Sequence, residues 1–327
     1  MDQKLRERDG PKRTARTNRR TGDGLGSAIE FDGVQVAYRT RRGRVSALAG
    51  LDLEVPEGGV FGFLGANGAG KTTAIRAAVG LLRGARGRIR LLGADVPSGL
   101  AATLDRVGAL VEQPSFFPNF TGRRNLELLG RTRGIGPKHV DATLTRVGLG
   151  ARADTRFATY SLGMKQRLGI AAALIKDPEL LVLDEPANGL DPPGILEVRT
   201  LMREFAAEGR TVFVSSHILA EIEHVCDRVA IVAHGRCIAS GRVSELLRGA
   251  TARYRVRVDD PRARDVLVAG GWHVEAEPDG AWVVDVGANR SSDVTSTLAA
   301  GGIFLSELTP IARSLEEVFL ELTEEDR

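Results

Sequence analysis

The chain has 327 residues, 43% of them hydrophobic and 27% charged, with a formal net charge of +3. That length suggests two domains, and that composition excludes a disordered or fibrous protein. No stretch reaches the roughly 18 to 20 uninterrupted apolar residues of a bilayer-spanning helix, so a membrane role is expected to be peripheral.

The first 27 residues hold eight basic side chains (Lys4, Arg6, Arg8, Lys12, Arg13, Arg16, Arg19, Arg20) against four acidic ones (Asp2, Glu7, Asp9, Asp23). Rich in Gly, Thr and Arg, this segment cannot pack a core and is expected to be a disordered basic tail. The remainder is close to neutral, so specific nucleic-acid binding is not expected. No apolar run opens the chain, which argues against a secretory leader and for the cytosol. Cys226 and Cys237 lack the short paired spacing of a metal or redox motif and read as incidental thiols.

From Ala28 the strings "IEFDGVQVAY" and "LDLEVPEGG" alternate apolar and polar residues around a polar turn at 41–43, which predicts two antiparallel strands. "GVFGFLG" predicts a buried strand, and "KTTAIRAAVGLL", with Ile75, Val79 and Leu82 at helical spacing, a helix. Between 121 and 150 apolar residues recur at three and four with glycine breakers, predicting a helical insertion. A helix is expected from Ser161, a buried strand at "ELLVLDEP", a third strand at "TVFVSS" and a helix at "HILAEIEHVC". Strands alternating with helices predict a parallel sheet covered on both faces. "RVAIVAHG" and "RCIASG" close this first domain, expected over 28–249 with its helical part about 115–168. A small α+β unit is expected over 250–327: strands at "YRVRV", "WHVEAE", "AWVVDV" and "IFLSEL", helices near 261–269 and 292–300, and an amphipathic helix from Ser314.

Gly65, Ala66, Asn67, Gly68, Ala69, Gly70, Lys71 and Thr72 match the phosphate-loop pattern between a predicted strand and a predicted helix. Glycines let successive backbone N–H groups turn toward phosphate oxygens, and the helix adds the positive end of its dipole. Lys71 can span the β- and γ-phosphates, and the Thr72 hydroxyl can ligate Mg²⁺; Thr73 follows in the same turn. Asp184, at the end of the apolar run 180–183, is placed to hold the same ion through water.

The segment "YSLGMKQRLGIAAALIKDPELLVLDEPANGLDP" resembles the most diagnostic part of an ATP-binding cassette (ABC) ATPase. The stretch 161–167 is similar to the family's signature motif, with leucine for the first glycine and Met164 for the glutamine; this version resembles that of the antibiotic-export and self-immunity branch. Ser161 is also a good helix N-cap, whose hydroxyl and free N–H groups make an anion site. The resemblance implies that Ser161 and Gly163 face the γ-phosphate held by a second cassette, in a head-to-tail homodimer. It implies that Glu185 polarises the attacking water, that Asp191 of "GLDP" lies at the dimer interface, that His217 is the switch histidine and that Tyr38 stacks on adenine. For the glutamine loop the sequence departs from the pattern: six residues before Pro118 stands Glu112, with Gln113 beside it, and either could lie near Mg²⁺. The fold implied is a P-loop ABC cassette: a mixed-sheet core, an antiparallel β subdomain and a helical signature subdomain. The closing "SLEEVFLELT" is similar to the appendage of cassettes serving exporters with separately encoded permeases. These resemblances imply an ATPase with ATP and Mg²⁺, attached to an integral-membrane permease on the cytoplasmic face of the membrane. The alternative is a soluble ABC ATPase acting on ribosomes or nucleic acid.

Overall fold

The computed structural model describes residues 26–41, 43–112, 115–247, 251–287, 291–311 and 313–325. Apart from its last two residues, the basic tail lies outside them, as does Gln113. The chain opens with β1 (Ser27–Thr40) and β2 (Gly43–Pro56), then β3 (Gly59–Leu64), α1 (Lys71–Ala78), β4 (Arg86–Leu91), β5 (Ala94–Val96) and β6 (Val107–Leu110). Helices α2 (Gly122–Arg131), α3 (Pro137–Arg146) and α4 (Leu162–Leu174) lead to β7 (Leu180–Asp184). Then come α5 (Pro192–Ala207), β8 (Thr211–Ser216), α6 (Leu219–Glu223), β9 (Arg228–Ala233), β10 (Arg236–Arg242) and α7 (Val243–Leu246). The remaining elements are β11 (Thr251–Arg257), α8 (Ala263–Ala269), β12 (His273–Ala276), β13 (Trp282–Gly287), α9 (Ser291–Ala300), β14 (Glu307–Ile311) and α10 (Leu315–Glu325).

The central sheet has the order β10-β9-β3-β8-β7-β6. Its strands β9, β3, β8, β7 and β6 run parallel, and β10 turns back on β9. Because side chains alternate along a strand, each strand feeds two cores. Val60, Leu181, Leu183, Val212 and Val214 face α4 and α5. Phe61, Phe63, Leu180, Val182 and Phe213 face the opposite way, onto Ala74, Ile75 and Ala78 of α1 and onto Ile29, Leu48 and Leu53 of the antiparallel sheet β2-β1-β4-β5. The helix α1 is therefore held between two sheets, and the loop preceding it is fixed from both sides. In β1 the alternation slips between Phe31 and Val34, where Gly33 at φ +58° takes up an extra residue; the bulge returns Val34 and Val36 to the buried face.

The helical insertion starts as its caps dictate. Thr121 accepts the Arg124 N–H at 3.1 Å, and Pro137 occupies the first turn of α3, where its missing N–H is harmless. The C-terminal sheet, ordered β12-β13-β11-β14, is wholly antiparallel and packs one face on α8 and α9 through Val256, Val284, Val286, Leu267 and Leu298.

Several sequence-based expectations are corrected. Helix α1 ends at Ala78 instead of Leu82, two residues before Gly80, a residue suited to ending helices. "HILAEIEHVC" yields only α6, and the last strand is 307–311, not 303–308. The strands β4, β5 and β6 were not anticipated, since "RGRIRL" carries three arginines and buries only Ile89 and Leu91. The last helix does not stay with the C-terminal sheet: Leu315 is buried in the core shared with Leu219 and Ile222 of α6, and its N–H donates to Glu223 Oε2 at 3.0 Å.

Candidate active site

The glycine-rich loop leaves β3 at Leu64 and enters α1 at Lys71. Gly70, at φ +104°, makes the turn, and a Cβ there would lie 2.5 Å from the Ala47 carbonyl oxygen, so only glycine fits. Lys71 is 6% exposed. Its Nζ donates to the carbonyls of Gly65 at 2.7 Å and Ala66 at 3.3 Å, and lies 3.2 Å from Glu185 Oε1. The other oxygen of Glu185 accepts from His217, from Nδ1 at 2.7 Å and from the backbone N–H at 3.3 Å. A carboxylate only accepts, so the Nδ1 of His217 carries the hydrogen in this pair. Lys71, Glu185 and His217 thus form one chain of contacts on the wall of an open cavity of about 470 Å³, which Thr72, Thr73 and Asn67 also line.

An adjoining cavity of about 420 Å³ is lined by Thr72, Asp184, Glu112, Leu162 and Gln166. Asp184, 5% exposed, ends β7, and its Oδ1 accepts the Ser215 hydroxyl at 2.6 Å. The residues suit Mg²⁺. That ion keeps several waters and takes one or two protein oxygens beside substrate phosphates, and here a hydroxyl and a carboxylate share a polar wall next to the phosphate loop. Among the described residues no cluster of three or more His, Cys, Asp or Glu could hold a metal unaided. Glu112 sits at φ +65° and pairs with Arg76 of α1.

Glu185 occupies the left-handed region at φ +50°, a conformation costing about 1 to 3 kcal/mol for such a residue. Its N–H is held there by the Ser215 hydroxyl at 3.0 Å and the Ser215 carbonyl at 3.2 Å. Elsewhere, Tyr38 is 37% exposed, with its hydroxyl 3.4 Å from Thr73 Oγ1. Ser161 caps α4, accepting the Met164 N–H at 3.2 Å, and Gly163 lies against Leu190. Asp191 caps α5 through the Gly194 N–H at 3.3 Å. Sequence reasoning missed Ser215 and also Asn188, which lines both cavities; Gln166 fell within the signature stretch 161–167 but was given no role of its own. The signal for Ser215 was a polar residue at the end of an otherwise apolar strand; Asn188 gave none.

A phosphate loop at the end of a buried parallel strand, with an acidic strand end two strands away, defines a P-loop nucleoside triphosphatase. The sequence pattern of the ABC transporter family matches residues 48–188. The chain is 34% identical over 284 residues to a bacitracin transport ATP-binding protein of Enterococcus faecalis, covering 86% of this chain and 92% of that one. It is 36% identical over 312 residues to a daunorubicin resistance ATP-binding protein of Streptomyces coeruleorubidus, covering 92% and 97%. A solved ATP-binding subunit of an ABC transporter superposes with a TM-score of 0.60 at 29% identity, covering 68% of this chain and 92% of that one. The chain belongs to the ATP-binding proteins of the ABC transporters, which work as dimers with a membrane partner and hydrolyse ATP to power transport. Among the described residues no helix is long and apolar enough to cross a membrane.

Proposed function

We propose that this chain powers export of antibiotic- or drug-like compounds, as the names of its bacitracin and daunorubicin relatives suggest for them. It does so as a homodimer, bound peripherally at the cytoplasmic face of the membrane to a separately encoded permease. The observation that carries the catalytic reading is the single cavity wall bearing Lys71, Thr72, Glu185 and His217.

Tyr38 stacks on the adenine, and the N–H groups of 66–70 with the start of α1 receive the phosphates. Lys71 then exchanges the Gly65 and Ala66 carbonyls and Glu185 for β- and γ-phosphate oxygens, which frees Glu185 Oε1. Mg²⁺, held by Thr72 and Asp184 with Glu112 nearby, supplies neutralising charge on the phosphates when bound. Glu185 takes the proton of the attacking water, and His217, hydrogen-bonded to Oε2, fixes the direction of that carboxylate. Ser161 and Gly163 of each copy close the nucleotide site of the other, with Asp191 at the seam. Residues 28–249 form the catalytic cassette and 250–327 its accessory unit, whose last helix α10 returns to the cassette core.

The permease meets the apolar groove of about 400 Å³ between Leu81, Leu100, Leu104 and Ala173. Leu81 is 67% exposed there, a large apolar side chain suited to being covered by a partner. Replacing Glu185 by Gln is expected to lower ATP turnover by roughly 10² to 10⁴ while ATP binding persists. Turnover at the parent rate would overturn the assignment.

A further inference from the structure

Ser215 is fully buried, yet it occupies a position where the strand pattern calls for an apolar residue. On β8, side chains alternate, so Ser215 falls on the same face as Phe213, toward α1. On β7, Asp184 falls on the same face as Val182, and the parallel register pairs Asp184 with Ser215. A buried hydroxyl is unfavourable unless hydrogen-bonded, and this one is bonded twice. It donates to Asp184 Oδ1 at 2.6 Å and accepts the N–H of Glu185 at 3.0 Å. A donor that is itself an acceptor is polarised along the chain, so the two bonds strengthen each other.

We infer that Ser215 is a positioning residue that sets both acidic side chains at once. It turns the Asp184 carboxylate toward the cavity shared with Thr72 and holds the left-handed backbone of Glu185, on which the Glu185–His217 contact depends. Hydrogen bonds behind a metal-holding carboxylate orient it and tune its affinity. The inference rests on the roles proposed above for Asp184 and Glu185.

The test compares Ser215→Ala, which removes the hydroxyl without adding volume, with the near-isosteric pair Ser215→Thr and Ser215→Val. The readouts are binding of a fluorescent ADP analogue during MgCl₂ titration, and kcat against KM for ATP. The alanine and valine variants are expected to need about 10 to 100 times more Mg²⁺ for the magnesium-dependent increment in binding. They should bind nucleotide without Mg²⁺ as the parent does and lose kcat with little change in KM. Ser215→Thr should restore most of both. If the valine and threonine variants fail to fold, judged by their melting transitions, the alanine variant alone decides by the same two readouts. Equal Mg²⁺ requirement in the alanine variant and the parent, or equal behaviour of folded threonine and valine variants, would overturn the role. Asp184→Asn separates the underlying reading: if it leaves the Mg²⁺ dependence intact, the metal-site assignment fails, whereas its loss alongside a normal Ser215→Ala condemns only the positioning role.

Discussion

The central sheet and the C-terminal sheet handle charge in opposite ways. In the first, β7 and β8 are buried along their whole length, and their polar residues sit at the ends, where Asp184 reaches the nucleotide cavity and Ser215 stands behind it. In the second, β11 alternates Arg253, Arg255 and Arg257 with Tyr254 and Val256. Its arginines form an open ladder with Glu275, Glu277, Asp279, Asp285 and Glu307. Covering both faces of a sheet leaves charge only at strand ends, where each group has few partners and a fixed direction. Covering one face leaves charge spread over the other, where partners are many and exchangeable. The first arrangement suits chemistry, and the second suits solubility and register.

The contrast can be broken at its strongest point by Phe213→Ala. That ring is fully buried, 5.3 Å from Phe63 and 6.0 Å from Phe61, and its loss is expected to reduce stability by about 3 to 5 kcal/mol in urea denaturation. A far smaller effect is expected from Arg255→Ala, because this side chain is only half-buried and its charged partners overlap. Its melting midpoint should stay close to the parent value, and any difference should vanish in high salt. The smallest change is expected at the thiols. Burial pushes Cys237 up to about 11 and raises Cys226 further, so both are thiols well below those values and the thiolate is scarce at pH 7. Neither should react with a maleimide in the folded protein, and both should react in denaturant. Selective labelling of Cys237, half-buried on the edge strand β10, would show that this edge admits the reagent while the rest of the sheet stays closed.

The phosphate loop was legible because its residues are consecutive and its chemistry is local: glycines, lysine and threonine need no distant partner to be read. The N-cap at Ser161 was legible for the same reason. The roles of Ser215 and Arg76 were not, since each depends on a contact with a residue about thirty or more positions away. Strands β5 and β6 escaped because they are short and lie at sheet edges, and β4 because in "RGRIRL" the three arginines outweigh the two buried residues. The amphipathic pattern of the last helix was visible, but not which surface receives it. Leu315 and Val318 are apolar in any reading; that Leu315 joins the core of α6 is a fact of the three-dimensional fold.

The return of α10 gives the C-terminal sheet a particular standing in the chain. It lies between α7 and α10, which touch each other, so its entrance and exit are neighbours. A segment with adjoining ends is exchangeable: another small domain could be spliced between those helices with the catalytic core left closed. The same anchorage means that a torque on this domain arrives at α6, which begins two residues after His217.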